Sequence, residues 1–412
     1  MMACRGCGVA VFDRVLDLGS MPAADFFPPV GSPITPAESA HRLTMAVCRE
    51  CGLAQLVDDD TVPEEPRGVE PEALITQACT AVRAVADAGY LTGDTVTEFG
   101  SPHGGTWLPL LTARGFRVAT DRRTASVVID CFGIMHEPDQ RAALSGRAAA
   151  LDADGTLLIQ FHSLTTIVKH QQWTALRHGH FAYYSLTSLR RLLCDAGLHL
   201  THAWVFDLYG GTVLAAARRS PCAPPTPRVH RILADERMTG VTNPVTVQSL
   251  QLAADTNATA FRDWLTAMSR RHCRVFAYGA ASRAVPLFAH AGVDRSLVAA
   301  VADASAAKQG RRMPGTDVPI ISPEQLLRAQ PDKVVLTLPD LLPEVSQRYP
   351  ELSGRWVLPS ETQRVAAPAL VGARSREHSA PRHPDTYADT QTTRDGLLDS
   401  RSTASNRDEV QP

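Results

Sequence analysis

A chain of 412 residues, 44% of them hydrophobic, is long enough for two or three domains, each with its own core. Its formal charge of -2, with no Lys/Arg block, argues against a nucleic-acid or anionic-membrane binder. No apolar run approaches the roughly 18–20 residues of a membrane span, and nothing at the N-terminus resembles a signal peptide, so the expectation is a soluble, cytoplasmic protein.

The chain opens on Cys4-Arg-Gly-Cys7 and, 40 residues further on, Cys48-Arg-Glu-Cys51. Two residues between thiolates let a tight turn aim both sulfurs at one point, and two such knuckles complete a tetrahedron around Zn²⁺. A glycine follows each knuckle (Gly8, Gly52), relieving crowding where backbone N–H groups turn toward the sulfurs. All four ligands come from the protein, so the spacing predicts a structural zinc with no open coordination position. Two disulfides or four free thiols would fit the same spacing, but a cytosolic chain does not keep disulfides. Residues 1–60 are expected to form this zinc module, with a polar proline-rich loop between the knuckles, and residues 61–72 an acidic linker.

From about residue 73 a helical pattern leads into alternating strand and helix signals. Strands are expected at Thr95–Phe99, Phe116–Thr120, Ser126–Cys131, Thr156–Phe161, His199–Phe206 and Thr212–Ala217, with helices near Gln140–Leu151 and Ser188–Ala196. Such alternation predicts an α/β fold with a mostly parallel, doubly wound sheet over 73–220, finishing antiparallel. The proline cluster Pro221–Pro227 marks a boundary, a long helix is expected at Val247–Arg271, and a second α/β unit occupies 229–372 with strands at Arg274–Tyr278, Leu297–Ala302, Lys333–Leu338 and Trp356–Leu358. Residues 373–412 are polar, with few large apolar side chains, and read as a disordered tail.

Six places carry candidate chemistry. The first strand ends in Glu98-Phe-Gly100-Ser-Pro-His-Gly104, a glycine-bearing turn that lets a ligand meet a helix N-terminus, although a plain strand-to-helix turn looks the same. Asp121 closes the second strand, where an acid could take ribose hydroxyls or simply face solvent. The third strand opens into Phe132-Gly-Ile-Met-His136-Glu-Pro-Asp139. The run Arg177-His178-Gly179-His180-Phe-Ala-Tyr183-Tyr184-Ser-Leu186 crowds two imidazoles and two phenols together, and imidazole can take a proton near neutral pH. In the C-terminal unit, Tyr278-Gly-Ala-Ala-Ser-Arg283 and Lys308-Gln-Gly-Arg311 offer cations and helix starts that suit a diphosphate, or a solvated loop.

Over about residues 1–370 these pieces together resemble the zinc-containing, SAM-dependent sugar C-methyltransferases of antibiotic deoxysugar pathways, which act on dTDP-linked keto sugars. The resemblance rests on both Cys-x-x-Cys-Gly knuckles, Leu16-Asp-Leu-Gly19 with Met21-Pro-Ala-Ala24, Glu98-x-Gly100, His136, the His178-x-His180-Phe-x-Tyr-Tyr-Ser-Leu run, Gly210-Gly-Thr212, the Ala-Tyr-Gly-Ala turn and Lys308-Gln-Gly-Arg311. It implies a Rossmann-like SAM domain between the zinc module and a C-terminal α/β domain that holds the nucleotide sugar, in a monomer. It puts the base that removes the proton next to the ketone on His180, with His136 as reserve and His178 alongside. It implies Glu98, Gly100, Gly104 and Asp121 at SAM, and Tyr183, Tyr278, Arg283, Lys308 and Arg311 at the substrate.

The chain also departs from the family. Arg177 and Gly179 stand where it shows tyrosine and glutamate, Pro102-His103 replaces an Asn-Asp pair, and Leu214 replaces an arginine. Asp121 leads almost directly to the strand at Ser126, where a helix and a further strand are expected. These losses predict weak SAM affinity. They also keep two other readings open: a pseudo-methyltransferase that binds a nucleotide sugar or partner enzyme, and an epimerase-like enzyme that only moves protons.

Overall fold

Two β-rich runs fill the stretch between the knuckles where only a loop was expected. Phe12–Met21 and His41–Cys48 pair antiparallel, and the prolines are confined to the connection between them. Ala54–Leu56 extends this sheet, and its far edge is closed by Ala182–Tyr183, a segment more than 120 residues later in the chain. The computed structural model describes residues 3–61, 70–100, 105–119, 124–220 and 224–366. Most of the expected acidic linker and the expected disordered tail lie outside these residues.

After the helix Glu72–Asp87 comes a six-stranded sheet in the order Arg117–Val118, Thr95–Phe99, Ala125–Cys131, Leu151–His162, Thr212–Arg218, His199–Phe206. The first four strands run parallel, and Thr212–Arg218 is antiparallel to both its neighbours, as the short Gly-rich link before it suggested. Alternation divides the strands cleanly between two cores. Val128, Leu157 and Ile159 face one layer, and Val127, Ile129 and Leu158 face the other. On its open side the sheet stops at the two-residue strand Arg117–Val118, with no further strand there among the described residues.

A third sheet, all parallel, has the order Ile320–Ile321, Val301–Ala302, Val275–Tyr278, Lys333–Leu336, Trp356–Val357. The expected long helix is Ser249–Arg270, preceded by the separate turn of helix Pro244–Val247. Its apolar face (Leu250, Ala254, Phe261, Leu265) lies in one continuous core with Leu16, Met45 and Leu56 of the N-terminal sheet and Val275 and Val301 of the third. The zinc-bearing sheet and the third sheet are therefore packed as one body.

Candidate active site and zinc centre

The four cysteine sulfurs lie within 4.8 Å of one another, with Cys4–Cys51 and Cys7–Cys48 each 3.6 Å apart. A zinc tetrahedron with bonds of about 2.3 Å has sulfur edges of roughly 3.8 Å, whereas a disulfide would need about 2.05 Å. The donor set fits a closed zinc site. Gly8 and Gly52 sit at φ +80° and +72°, and each donates its N–H to the carbonyl of the first cysteine of its knuckle at 2.9 Å. The Gly6 N–H donates to Cys4 Sγ at 3.4 Å. Cys51 donates to Cys4, holding the Cys4 thiol down at about 5 and its own well up. Four thiols this close cannot all ionise without a cation among them.

A cavity of about 190 Å³ lies where the carboxyl ends of the six-stranded and five-stranded sheets face each other. Glu98, Phe99, Cys131, Phe132 and His162 reach it from the first, and Ser282, Arg283, Leu338 and Asp340 from the second. This is where open α/β sheets hold ligands. Two wall residues without a glycine's freedom have left-handed backbones, Phe132 (φ +62°) and Tyr209 (φ +57°), and their rings meet edge to face at 5.8 Å.

The histidine run is fixed from three sides. The Phe181 N–H donates to Met135 O at 2.7 Å, the Leu56 N–H to Phe181 O at 3.2 Å, and the Gly179 N–H to Asp59 Oδ2 at 2.6 Å. Gly179 has φ +77°, so the glycine that displaces the family's glutamate suits the backbone here. His136 donates from Nδ1 to Gly179 O at 2.8 Å, because a carbonyl can only accept. The His136 and His180 rings then stand edge to face with centroids 4.1 Å apart. Burial, and next the charge of Arg177, push His136 down to about 3, so it is neutral at pH 7. Arg177 donates to His180 Nε2 and, at 2.5 Å, to Ser282 Oγ.

The structure brings His180 into the cavity wall and His136 against it, but not His178. His178 turns to the N-terminal sheet, where Nε2 donates to Arg42 O at 3.2 Å. On the cofactor side Glu98 lines the cavity, yet accepts from Thr106 Oγ1 and, at 2.8 Å, from the Trp107 N–H. Gly100 lies beside Gly133, where an added Cβ would come within 2.8 Å of Gly100 O. Gly104 and Asp121 lie outside the described residues. Carboxylates Glu70 and Glu98 with aromatic Phe99, Trp107 and Phe132 fit a sulfonium cofactor bearing an adenine.

On the substrate side Arg283 and Lys308 line the cavity. Arg283 donates to His162 Nδ1 at 3.1 Å, and burial lowers it to about 10. Lys308 donates to Ala280 O at 2.8 Å. Tyr183, Tyr278 and Arg311 are placed elsewhere. The Tyr183 hydroxyl accepts from the Arg177 N–H inside the shared core, Tyr278 meets Tyr349, and Arg311 donates to Phe27 O at 2.6 Å. Sequence reasoning passed over Asp25, Arg177, Ser282, Tyr209 and Asp340 in the wall. Arg177 carried a signal, since it interrupts the histidine motif. Asp25 carried none.

Among known proteins, residues 4–65 match a family model described as "Putative zinc binding domain", and residues 207–359 match the C-methyltransferase C-terminal domain. The C-methyltransferase NovU of Streptomyces niveus is 27% identical over 410 residues, covering 88% of this chain and 96% of that one. Among solved structures, magnesium protoporphyrin IX methyltransferase from Synechocystis PCC 6803 is 14% identical, covering 36% of this chain and 84% of that one at a TM-score of 0.27. An O-methyltransferase family protein from Burkholderia thailandensis is 13% identical, covering 36% and 57% at a TM-score of 0.26, and neither likeness adds to the argument. The chain thus matches a zinc-binding domain at one end and a C-methyltransferase C-terminal domain at the other, and is similar to a C-methyltransferase along most of its length.

Proposed function

We propose that this protein methylates the carbon next to the ketone of a dTDP-linked keto-deoxysugar in the biosynthesis of a secondary metabolite. One observation carries the reading: His180 stands at a cavity shared by the carboxyl ends of the six-stranded sheet and by Arg283 and Lys308 of the C-terminal unit. Its likeness to NovU along 88% of the chain supports the same chemistry. Glu98 and Gly100 would hold SAM, which when bound supplies an electrophilic methyl group. His180 removes the proton beside the ketone, and His136, neutral and packed against it, is the reserve acceptor. Arg177 is at hand to stabilise the enolate oxygen, and must leave His180 Nε2 for that nitrogen to accept a proton. Arg283 and Lys308 face the diphosphate.

Solvent deuterium exchange at the carbon beside the ketone of a dTDP-4-keto sugar, followed by NMR without SAM, tests the assignment. Exchange should fall by about 10²–10⁴ in His180→Asn. Exchange lost only in His136→Asn moves the role to that residue. A second reading, a binding protein that transfers nothing, is favoured by the sheet's early stop at Arg117–Val118. Sugar-nucleotide binding with neither exchange nor methyl transfer would select it.

A further inference from the structure

The connection between strands Phe12–Met21 and His41–Cys48 sends one carboxylate into the cavity. Asp25 lines the wall, and among the described residues its oxygens make no hydrogen bond or ion pair. The nearby carboxylate of Glu98, by contrast, is committed to Thr106 and Trp107. Burial raises the Asp25 pKa, and the charges of Arg177 and Lys308 pull it back without either reaching contact. Asp25 keeps part of its surface open to the cavity, and a carboxylate facing a cavity without a protein partner is available to a ligand's donors.

The turn is nevertheless held firmly. Arg312, buried, donates to both oxygens of Glu38 at 2.6 and 2.7 Å and to Ser32 O and Pro33 O at 3.3 Å each. Glu38 also accepts from the Gly315 N–H at 2.6 Å, and Arg311 holds Phe27 O. The C-terminal unit thus clamps the zinc-module connection on both sides of the segment that follows Asp25.

We propose that Asp25 is an acceptor-binding residue that takes hydrogen bonds from sugar hydroxyls, opposite Arg177 and Lys308, which makes the zinc module part of the acceptor site. This rests on the keto-sugar reading above. Calorimetry on full-length, zinc-loaded protein tests it, with a dTDP-linked 4-keto-6-deoxyhexose and with dTDP alone as probes. Asp25→Asn and Asp25→Ala should weaken sugar-nucleotide binding by about 10- to 100-fold, with zinc content and dTDP binding retained. The sign discriminates, because removing a negative charge can only help an anion through electrostatics alone. Unchanged affinity for the sugar nucleotide in both variants would overturn the proposal. So would unchanged affinity with loss of solvent exchange, which would make Asp25 the proton acceptor instead. Failure of the wild-type protein to bind any sugar nucleotide would overturn the keto-sugar reading itself, and this inference with it.

Discussion

The six-stranded and five-stranded sheets present the carboxyl ends of their parallel strands to the same cavity and use them differently. At the six-stranded sheet Glu98, Phe99, Cys131 and Phe132 face the void. At the five-stranded sheet the crevice is filled from within. Asp303 accepts from the Ala280 N–H at 2.7 Å and the Ser305 N–H at 2.8 Å, Lys308 caps Ala280 O, and Thr337 donates to Gly279 O at 2.6 Å. An acid at the end of a second strand is where a dinucleotide's ribose would bind, and here it is spent on the backbone. A sheet of nucleotide-binding shape can thus serve as a bracket that lends side chains to its neighbour's site.

The zinc centre gives the largest expected effect. Cys48→Ser should remove the metal and much of the ~10–16 kcal/mol that structural zinc supplies to small folds. Because Leu16 and Met45 share a core with Val275, and Cys48, Cys51 and Leu53 share one with Ala125 and Val128, hydrogen exchange should speed up in both Val275–Tyr278 and Ala125–Cys131. Loss confined to one of the two strands would show that the zinc centre supports only one sheet. Zinc assay and exchange mass spectrometry check it together.

Next comes the turn after Ala125–Cys131. Asp130 is fully buried and accepts from Arg147 Nε at 2.6 Å and from the Gly133 and Ile134 N–H groups, shaping the turn that leads to His136. Asp130→Ala strands a buried guanidinium, and denaturant titration should show a loss of about 3–5 kcal/mol.

The pH dependence follows from His136. Its folded pKa of about 3 lies below its ordinary 6.5, so the unfolded chain binds the extra proton between those values. Stability is unaffected at pH 7 and falls as the pH drops through 6.5 toward 3, by about 1.4 kcal/mol per unit, or roughly 2 kcal/mol at pH 5. His136→Asn should remove that slope from melts taken between pH 7 and 5, while the other depressed histidines keep theirs.

The smallest effect belongs to the filled crevice. Asp303→Ala should cost about 1–3 kcal/mol through two orphaned N–H groups, and leave SAM binding by calorimetry unchanged. Lost SAM binding would mean that the filled end is a ligand site after all.

The zinc centre was fully legible because each knuckle is local and its chemistry allows few alternatives. The strands Thr95–Phe99 and His199–Phe206 were legible to the residue, each a β-branched or aromatic run bounded by turns. Phe12–Met21 was not, because Asp13, Arg14, Asp17 and Gly19 blur its alternation and a proline-rich segment follows. In the site, residue type located the cations but not the phenols. Tyr183 and Tyr184 both found hydroxyl partners in the core, with Arg177 and Gln140, and a sequence does not show which way an amphipathic ring turns. Asp25 was out of reach for another reason. Its neighbours in space, Arg177 and Lys308, are more than 150 residues away in sequence.

The strand that closes the N-terminal sheet has a consequence for how the protein is made. All four zinc ligands have left the ribosome soon after Cys51, so metal capture can come early in synthesis. Ala54–Leu56 must then wait for Ala182–Tyr183, 126 residues beyond Leu56 at the start of that strand, counting from 56 to 182. At about 5–20 residues per second the nascent chain carries an unpaired strand edge for roughly 6 to 25 seconds. The same pairing that finishes the sheet also seats His180, so the reactive loop takes its place only when the first part of the chain to emerge is finally covered.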